Sequence, residues 1–259
     1  MGDTVRQIRD RRPLVLRGLS AANTAVGAVR LLNEDAYLDR CDIGLWAVAD
    51  GLGGESAGDR ASSMIVEALG RVSTPVNAAS FLTEVREQLH AVNRILRLEA
   101  SSLGPDRVIA STVVAFLIHG DHFACAWAGD SRLYLLRNGY FHRISIDHSA
   151  VQDLVDRGLI EKAQANNHPD ANVLTRAVGA SDELNLDLRQ DQIFDNDVFL
   201  LCSDGLTKML SDREIEVRLA NHTPAEAAAE LMDTALARGA IDNVTVVVIS
   251  IVAADSPDE

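Results

Sequence analysis

Four aspartates stand at the ends of apolar runs in this chain. GLWAVAD closes at Asp50, FACAWAGD at Asp130 and VFLLCSD at Asp204, while Asp242 opens the run DNVTVVVISIV. Taking an ionised carboxylate out of water costs several kcal/mol unless a cation or a hydrogen-bond network compensates. Strands that carry four of them to their ends therefore imply a cation site. Glycines flank three of the four, in DGLGG, AGDSR and SDG, so the backbone can turn sharply there and aim a carbonyl inward. Carboxylates and carbonyls are the donors that hard divalent cations select.

The remaining sequence builds a framework around those strand ends. Residues 1–17 read as a basic arm, a short strand lies within 17–29, and residues 44–50 read as a buried strand. SAGDRASSMIVEALGRV carries apolar residues at three- and four-residue spacing and reads as a helix with Ser56 as N-cap; residues 78–101 repeat the pattern beyond Pro75. From Ser111 to Ser145 the period changes to β-branched and aromatic runs joined by GD and NG turns, which reads as a meander of antiparallel hairpins. Residues 147–180 turn irregular and polar, with short helical pieces in SAVQDLVDRG and EKAQAN, and read as an inserted flap. VFLLCSD is another buried strand. Two helices follow, SDREIEVRLA and TPAEAAAELMDTALARG, the second with Thr223 as N-cap and Pro224 at its first position; NVTVVVISIV is the last strand. Helices clustered between groups of antiparallel strands imply layered α+β architecture.

Composition narrows the function. In 259 residues, 38 acidic against 24 basic side chains leave a net charge of −14, which repels phosphate backbones and anionic membrane surfaces, so neither nucleic acid nor membrane is an expected partner. The N-terminal residues lack the apolar stretch of a signal peptide, and no run of about 18 apolar residues occurs. A reducing, cytoplasmic location is expected. Cys41, Cys125 and Cys202 show neither zinc nor redox spacing, and the last two sit in apolar strands as small hydrophobes.

Eight segments occur together in an order that resembles a known family: RLLNEDA (30–36), VADGLGGESAGDRAS (48–62), STVV (111–114), AGDSRLYLLRNG (128–139), DHS (147–149), NVLTRAVG (172–179), LLCSDGLT (200–207) and DNVTVVVI (242–249). They resemble the metal-dependent protein serine/threonine phosphatases of the 2C type, in their bacterial form. The resemblance covers roughly residues 20–251. It implies a four-layer α-β-β-α sandwich of two antiparallel sheets flanked by helices, forming one catalytic domain over 18–253 with the flap at about 147–180 and a tail at 254–259. It implies that Asp50 bridges two Mn²⁺ or Mg²⁺ ions, that Glu34 and the Gly51 carbonyl complete the second, and that Asp204 and Asp242 hold the first. Asp130 resembles a ligand for a third, weaker metal shared with Asp204. Arg30 matches the guanidinium that grips the substrate phosphate, and Asp35 an acceptor that orients metal-bound water. The implied reaction is hydrolysis of phosphoserine or phosphothreonine in a protein by in-line attack of a hydroxide held between the cations. The sequence contains neither GxxxxGK[ST] nor a Cys-x5-Arg loop, in keeping with direct attack by water.

The chain departs from the family pattern at several places. Leu52 stands where many eukaryotic members carry a proton-donating His, which leaves metal-bound water as the proton donor, and Glu55 stands where bacterial members often have His. The family's GTT becomes Ala110, Ser111 and Thr112, read as a packing variation. His148 and His168 lack partners at metal-ligand spacing and are read as structural; Ser131 and Arg132 are read as stabilising the turn that aims Asp130, with Arg132 an ion-pair partner. The alternative to an active enzyme is a silent member that binds phosphoproteins as a regulator. Such a chain would lack a ligand, whereas Glu34, Asp50, Asp204 and Asp242 are all present. A monomer is expected, with an opposing Ser/Thr kinase on a separate chain. LWAVADG, WAGDSR and LLCSDGLT are similar in wording to phosphatases that oppose a threonine kinase in bacterial type VI secretion.

Overall fold

Apolar runs without polar alternation need cover on both faces, and the fold supplies it with two sheets packed face to face and helices on each outer side. The computed structural model describes residues 15–53, 57–104, 106–165 and 168–254. Strands β1 (Val15–Ala25), β2 (Asp35–Arg40) and β3 (Leu45–Leu52) lead to helices α1 (Ala57–Gly70) and α2 (Ala78–Leu103). Next come β4 (Ala110–Ser111), β5 (Val113–His119), β6 (His122–Ala128), β7 (Arg132–Arg137) and β8 (Tyr140–Arg143). The flap carries α3 (Ala150–Asp156) and α4 (Lys162–Ala165). The chain closes with β9 (Asp187–Gln192), β10 (Val198–Cys202), α5 (Asp204–Met209), α6 (Asp212–Asn221), α7 (Pro224–Ala237) and β11 (Val244–Ala254).

One sheet has the order β1-β11-β10-β7-β8 and the other β2-β3-β5-β6-β9, with β4 on β3; every pairing is antiparallel. The alternation within single strands shows how the layers form. In β3, Trp46 and Val48 point between the sheets beside Phe116, Phe199 and Val247, while Leu45, Ala47 and Ala49 pack beneath Ile65 and Leu89 of α1 and α2. In β11, Val247, Ile249 and Ile251 face the other sheet, and Val244, Val246 and Val248 face Leu206, Leu219 and Leu231 of the C-terminal helices. Phe116 and Phe199 meet across the middle at 4.5 Å between ring centroids. The result is the four-layer sandwich.

Sequence and structure differ at several points. The expected meander is split, because β5 and β6 form a hairpin in one sheet whereas β7 and β8 form theirs in the other. The crossing occurs at Gly129–Ser131, where Gly129 takes φ +111°. Strand β9 has no counterpart in the sequence reading: it is a polar, mostly exposed edge paired with β6, without an apolar face to announce it. Helix α5 starts at Asp204 itself, inside a motif read as a turn. Finally, β1 begins at Val15, within the segment read as an arm, because it pairs along the whole of β11. Thr223 caps α7 with a reciprocal Glu226 bond and Pro224 follows, as expected. Among the described residues no helix is long and apolar enough to cross a membrane. Ser56 and Glu55 lie outside the described residues.

Candidate metal centre

The strand ends that carry the aspartates meet at one end of the sandwich. Asp35 opens β2 directly opposite Asp50 near the end of β3, Asp204 follows β10, Asp242 precedes β11, and Asp130 lies on the crossing between the sheets. Asp50 is fixed through its backbone. Its N–H donates to Thr112 Oγ1 at 3.0 Å, and its carbonyl accepts from Thr112 N–H at 2.8 Å and from Ser111 Oγ at 3.0 Å. Thr112 Oγ1 lies 2.6 Å from Ser131 Oγ, which ties the Asp50 strand to the turn carrying Asp130. Ser111 and Thr112 are thus positioning groups, which corrects their reading as a packing variation.

Glu34 and Gly51 are brought together by a close backbone approach. Gly51 N–H donates to the Glu34 carbonyl at 3.0 Å, and a Cβ on Gly51 would lie 2.1 Å from the Gly58 carbonyl oxygen. A Cβ on Gly58 would in turn fall 2.5 Å from Glu34 Oε1, so the first turn of α1 closes over the glutamate only because residue 58 is glycine. Asn243, to which the sequence reading gave no role, staples this loop to β11. Its Oδ1 accepts from Glu34 N–H, and its Nδ2 donates to the carbonyls of Val26 and Leu32, all at 2.9 Å.

Asp35 Oδ2 accepts from Ser203 Oγ and Thr245 Oγ1, both at 2.7 Å, whereas Asp35 Oδ1 is buried and has no hydrogen-bond partner among the described residues. Asp204 Oδ1 is in the same condition. A buried carboxylate oxygen without a donor calls for a cation or an ordered water. The electrostatics agree. Burial pushes the carboxyls of Asp35 and Asp130 up to about 7, and burial together with Asp35 and Asp204 pushes Asp50 well above the ordinary range. Burial also raises Glu34 against the pull of Arg30. Asp242 moves the other way: burial opposes its ionisation, but Lys208 and Arg30 together overcome it. Clustered carboxylates that resist ionisation gain most from a divalent cation.

Two side-chain cations already touch the cluster. Arg30 Nε lies 2.9 Å from Asp242 Oδ1, with about half its side chain (49%) exposed, and its Nη groups make no hydrogen bond among the described residues. Lys208 Nζ lies 2.5 Å from Asp204 Oδ2 and 3.1 Å from Asp242 Oδ2. Among the described residues no three His, Cys, Asp or Glu side chains close on a single point. The carboxylates are gathered, but the ammonium stands between two of them.

The turn bearing Asp130 rests on a second polar network. His148 Nδ1 accepts from Gly129 N–H at 3.1 Å, His148 N–H donates to the Gly129 carbonyl at 2.9 Å, and Nε2 faces Asp187 Oδ2 at 3.2 Å. The ring stacks on Trp127 with an interplanar angle of 8°. Arg132 pairs with Asp147 at 2.7 Å, as the sequence led us to expect, and Arg143 joins the same carboxylate at 2.9 Å. His168 sits in the flap near Asp170 and lines the same groove as Asp130 and Asp204. Burial holds the His148 imidazole below its ordinary value against the pull of Asp187, with Arg176 and Asp147 the other charges facing it. A depressed folded-state pKa means that stability is present above about 6.5 and lost as pH falls through the folded value. Wild type is therefore expected to lose melting temperature below pH 6.5 more steeply than His148→Asn, which keeps an acceptor but cannot titrate. Equal slopes in thermal melts from pH 8 to 5 would exclude this role.

A family model described as protein phosphatase 2C matches residues 28–239. The chain belongs to this family. It is 36% identical over 241 residues to the serine/threonine protein phosphatase PstP of Mycobacterium tuberculosis, covering 92% of this chain and 46% of PstP. It thus spans about half the length of that relative. The solved structure of PppA, described as a key regulatory component of T6SS in Pseudomonas aeruginosa, superposes with a TM-score of 0.85 at 42% identity, covering 92% of this chain and 99% of PppA. The catalytic domain of PstP, solved with two manganese ions, superposes with a TM-score of 0.83 at 34% identity over 92% of this chain and 99% of that one. These neighbours share the two antiparallel sheets and flanking helices of the phosphatase 2C fold.

Proposed function

We propose that this chain is a metal-dependent protein phosphatase that hydrolyses phosphoserine and phosphothreonine, with Mn²⁺ or Mg²⁺ as its cations. The observation that carries the reading is the convergence of Glu34, Asp50, Asp204 and Asp242 at one end of the sandwich, with a buried oxygen of Asp204 that has no donor among the described residues. The donor set fits hard divalent ions. Asp204 and Asp242 would hold the first, Asp50 both, Glu34 and the Gly51 carbonyl the second, and Asp130 with Asp204 a third. Bound there, the cations would lower the pKa of water and neutralise charge on the phosphoryl group.

The chain's own residues supply the rest. Asp35, held by Ser203 and Thr245, keeps a buried oxygen turned to no donor among the described residues and would orient the attacking water. Arg30 has its Nη groups available for two phosphate oxygens, while its Nε bond to Asp242 ties substrate binding to the first-metal ligand. Leu52 has no proton to give, so the leaving seryl or threonyl oxygen takes one from water. A groove of about 930 Å³ opens beside Asp130 and Asp204, walled by Val151 and Val155 of the flap and by residues 207–213, and is large enough for a peptide segment around the phosphoresidue.

The likeness to PppA, described as a key regulatory component of T6SS, supports a regulatory place in type VI secretion. The enzymatic reading is tested by hydrolysis of a phosphothreonine peptide with Mn²⁺, Mg²⁺ or EDTA. Turnover is expected with the metals and none with EDTA; turnover that survives EDTA would refute the mechanism. Binding of the phosphopeptide without hydrolysis under any metal would favour the regulator reading.

A further inference from the structure

Lys208 is the charged group in the centre that the family resemblance does not account for. It lies one helical turn after Asp204 in α5, so the register of that helix returns its side chain to the carboxylate at the helix start. Its Nζ reaches Oδ2 of Asp204 at 2.5 Å and Oδ2 of Asp242 at 3.1 Å, and the side chain is 28% exposed. A bidentate contact from one ammonium to two carboxylates brought together from different elements is a built interaction, distinct from a surface pair held by chance of rotamer.

We propose that Lys208 is an internal counter-ion of the metal site: it neutralises Asp204 and Asp242 when no metal is bound, and its charge must be overcome when one binds. This rests on the reading of those aspartates as first-metal ligands. Without Lys208, Asp242 would keep Arg30 but Asp204 would face Asp130, Asp50 and Asp242 with no ion-pair partner among the described residues. The ammonium therefore supports the metal-free fold. The same charge repels an incoming dication a few ångströms away, so it also raises the metal concentration at which the site fills. Asp204 Oδ1, buried and without a donor among the described residues, gives the metal an initial contact that does not require Lys208 to leave first. Lys208 also lines the groove that contains Asp130 and Asp212, which gives the displaced ammonium acidic neighbours. The effects on fold and on metal affinity are opposite in sign, and that opposition separates a counter-ion from a clamp that merely orients the ligands.

The test compares wild type with Lys208→Met and Lys208→Arg, by Mn²⁺ titration calorimetry and by thermal melts in EDTA and in Mn²⁺. In Lys208→Met, the Kd of the tighter Mn²⁺ site is expected to fall at least about tenfold, the melting temperature in EDTA to drop, and the rise on adding Mn²⁺ to exceed that of wild type. Lys208→Arg, which keeps the charge, is expected to stay near wild type in Mn²⁺ affinity. Should Lys208→Met be unfolded in EDTA but fold in Mn²⁺, the counter-ion role is supported in its strongest form. If Lys208→Met binds Mn²⁺ as wild type does, or more weakly, or fails to fold with Mn²⁺ present, the proposal is wrong while the phosphatase reading stands. Absence of Mn²⁺ binding in wild type would overturn both.

Discussion

Asp50→Asn is expected to abolish turnover and, at the same time, to stabilise the metal-free protein. The loss follows from the place of Asp50 between the two proposed cations: an amide is a poor ligand for either, and activity should fall at least about a thousandfold, on the order of 4 kcal/mol of transition-state stabilisation. The gain follows from its surroundings. Asp50 faces Asp35, Asp204, Asp130 and Asp242, and burial with their charges drives its carboxyl well above the ordinary range. A folded-state pKa raised in this way contributes stability below the unfolded value of about 4 and loses it as pH climbs toward the folded one. A neutral isostere escapes that loss. In EDTA at pH 7.5, Asp50→Asn should therefore melt above wild type, by roughly 2–4 °C for each kcal/mol recovered, and the difference should close as pH approaches 4. The backbone bonds from Ser111 and Thr112 do not involve the side chain and should survive. A variant that melts below wild type in EDTA would mean that Asp50 is a structural acceptor instead.

Gly205→Ala should be the most damaging substitution that adds a single methyl group near the centre. A Cβ at that position would lie 1.9 Å from the Asn243 carbonyl oxygen and 3.0 Å from its carbonyl carbon, so α5 and the start of β11 must separate. Asp204 opens the first of these elements and Asp242 lies just before the second. Asn243 also holds the Arg30–Glu34 loop through Glu34 N–H and the Val26 and Leu32 carbonyls, so one displaced backbone disturbs Asp204 and Asp242 of the proposed first metal and Glu34 of the second. Overpacking of this kind costs about 3 kcal/mol, or roughly 6–12 °C of melting temperature in a domain of this size. Mn²⁺ affinity should fall with it. A variant with unchanged melting temperature and Mn²⁺ affinity would show that the close approach of Gly205 to Asn243 does not hold the site together.

The sequence made the carboxylate cluster readable because carboxylates at the ends of apolar runs are costly and therefore conspicuous. Thr223 and Pro224 marked α7, and the short helical pieces of the flap stood out against its polar text, since caps and periodicity are local signals. What escaped was non-local. Strand β9 is recognisable only by its pairing with β6, and the two hairpins of the supposed meander have the same alternation whichever sheet receives them. Asn243, Thr112, Ser203 and Thr245 are small polar residues in strands or at their ends, and only the fold shows which carboxylate or loop each one holds. Lys208 also escaped, because its contacts with Asp204 and Asp242 depend on a helix that starts inside a motif read as a turn and on the meeting of that helix with the start of β11.

The account stands or falls on where divalent ions bind. Anomalous diffraction at the manganese edge, from crystals of the wild-type chain soaked in Mn²⁺, locates them directly. Two principal peaks are expected, one contacted by Asp50, Asp204 and Asp242 and the other by Asp50, Glu34 and the Gly51 carbonyl. Manganese only at other positions, or no manganese peak at these carboxylates after soaking at saturating Mn²⁺, would contradict their assignment as the metal centre.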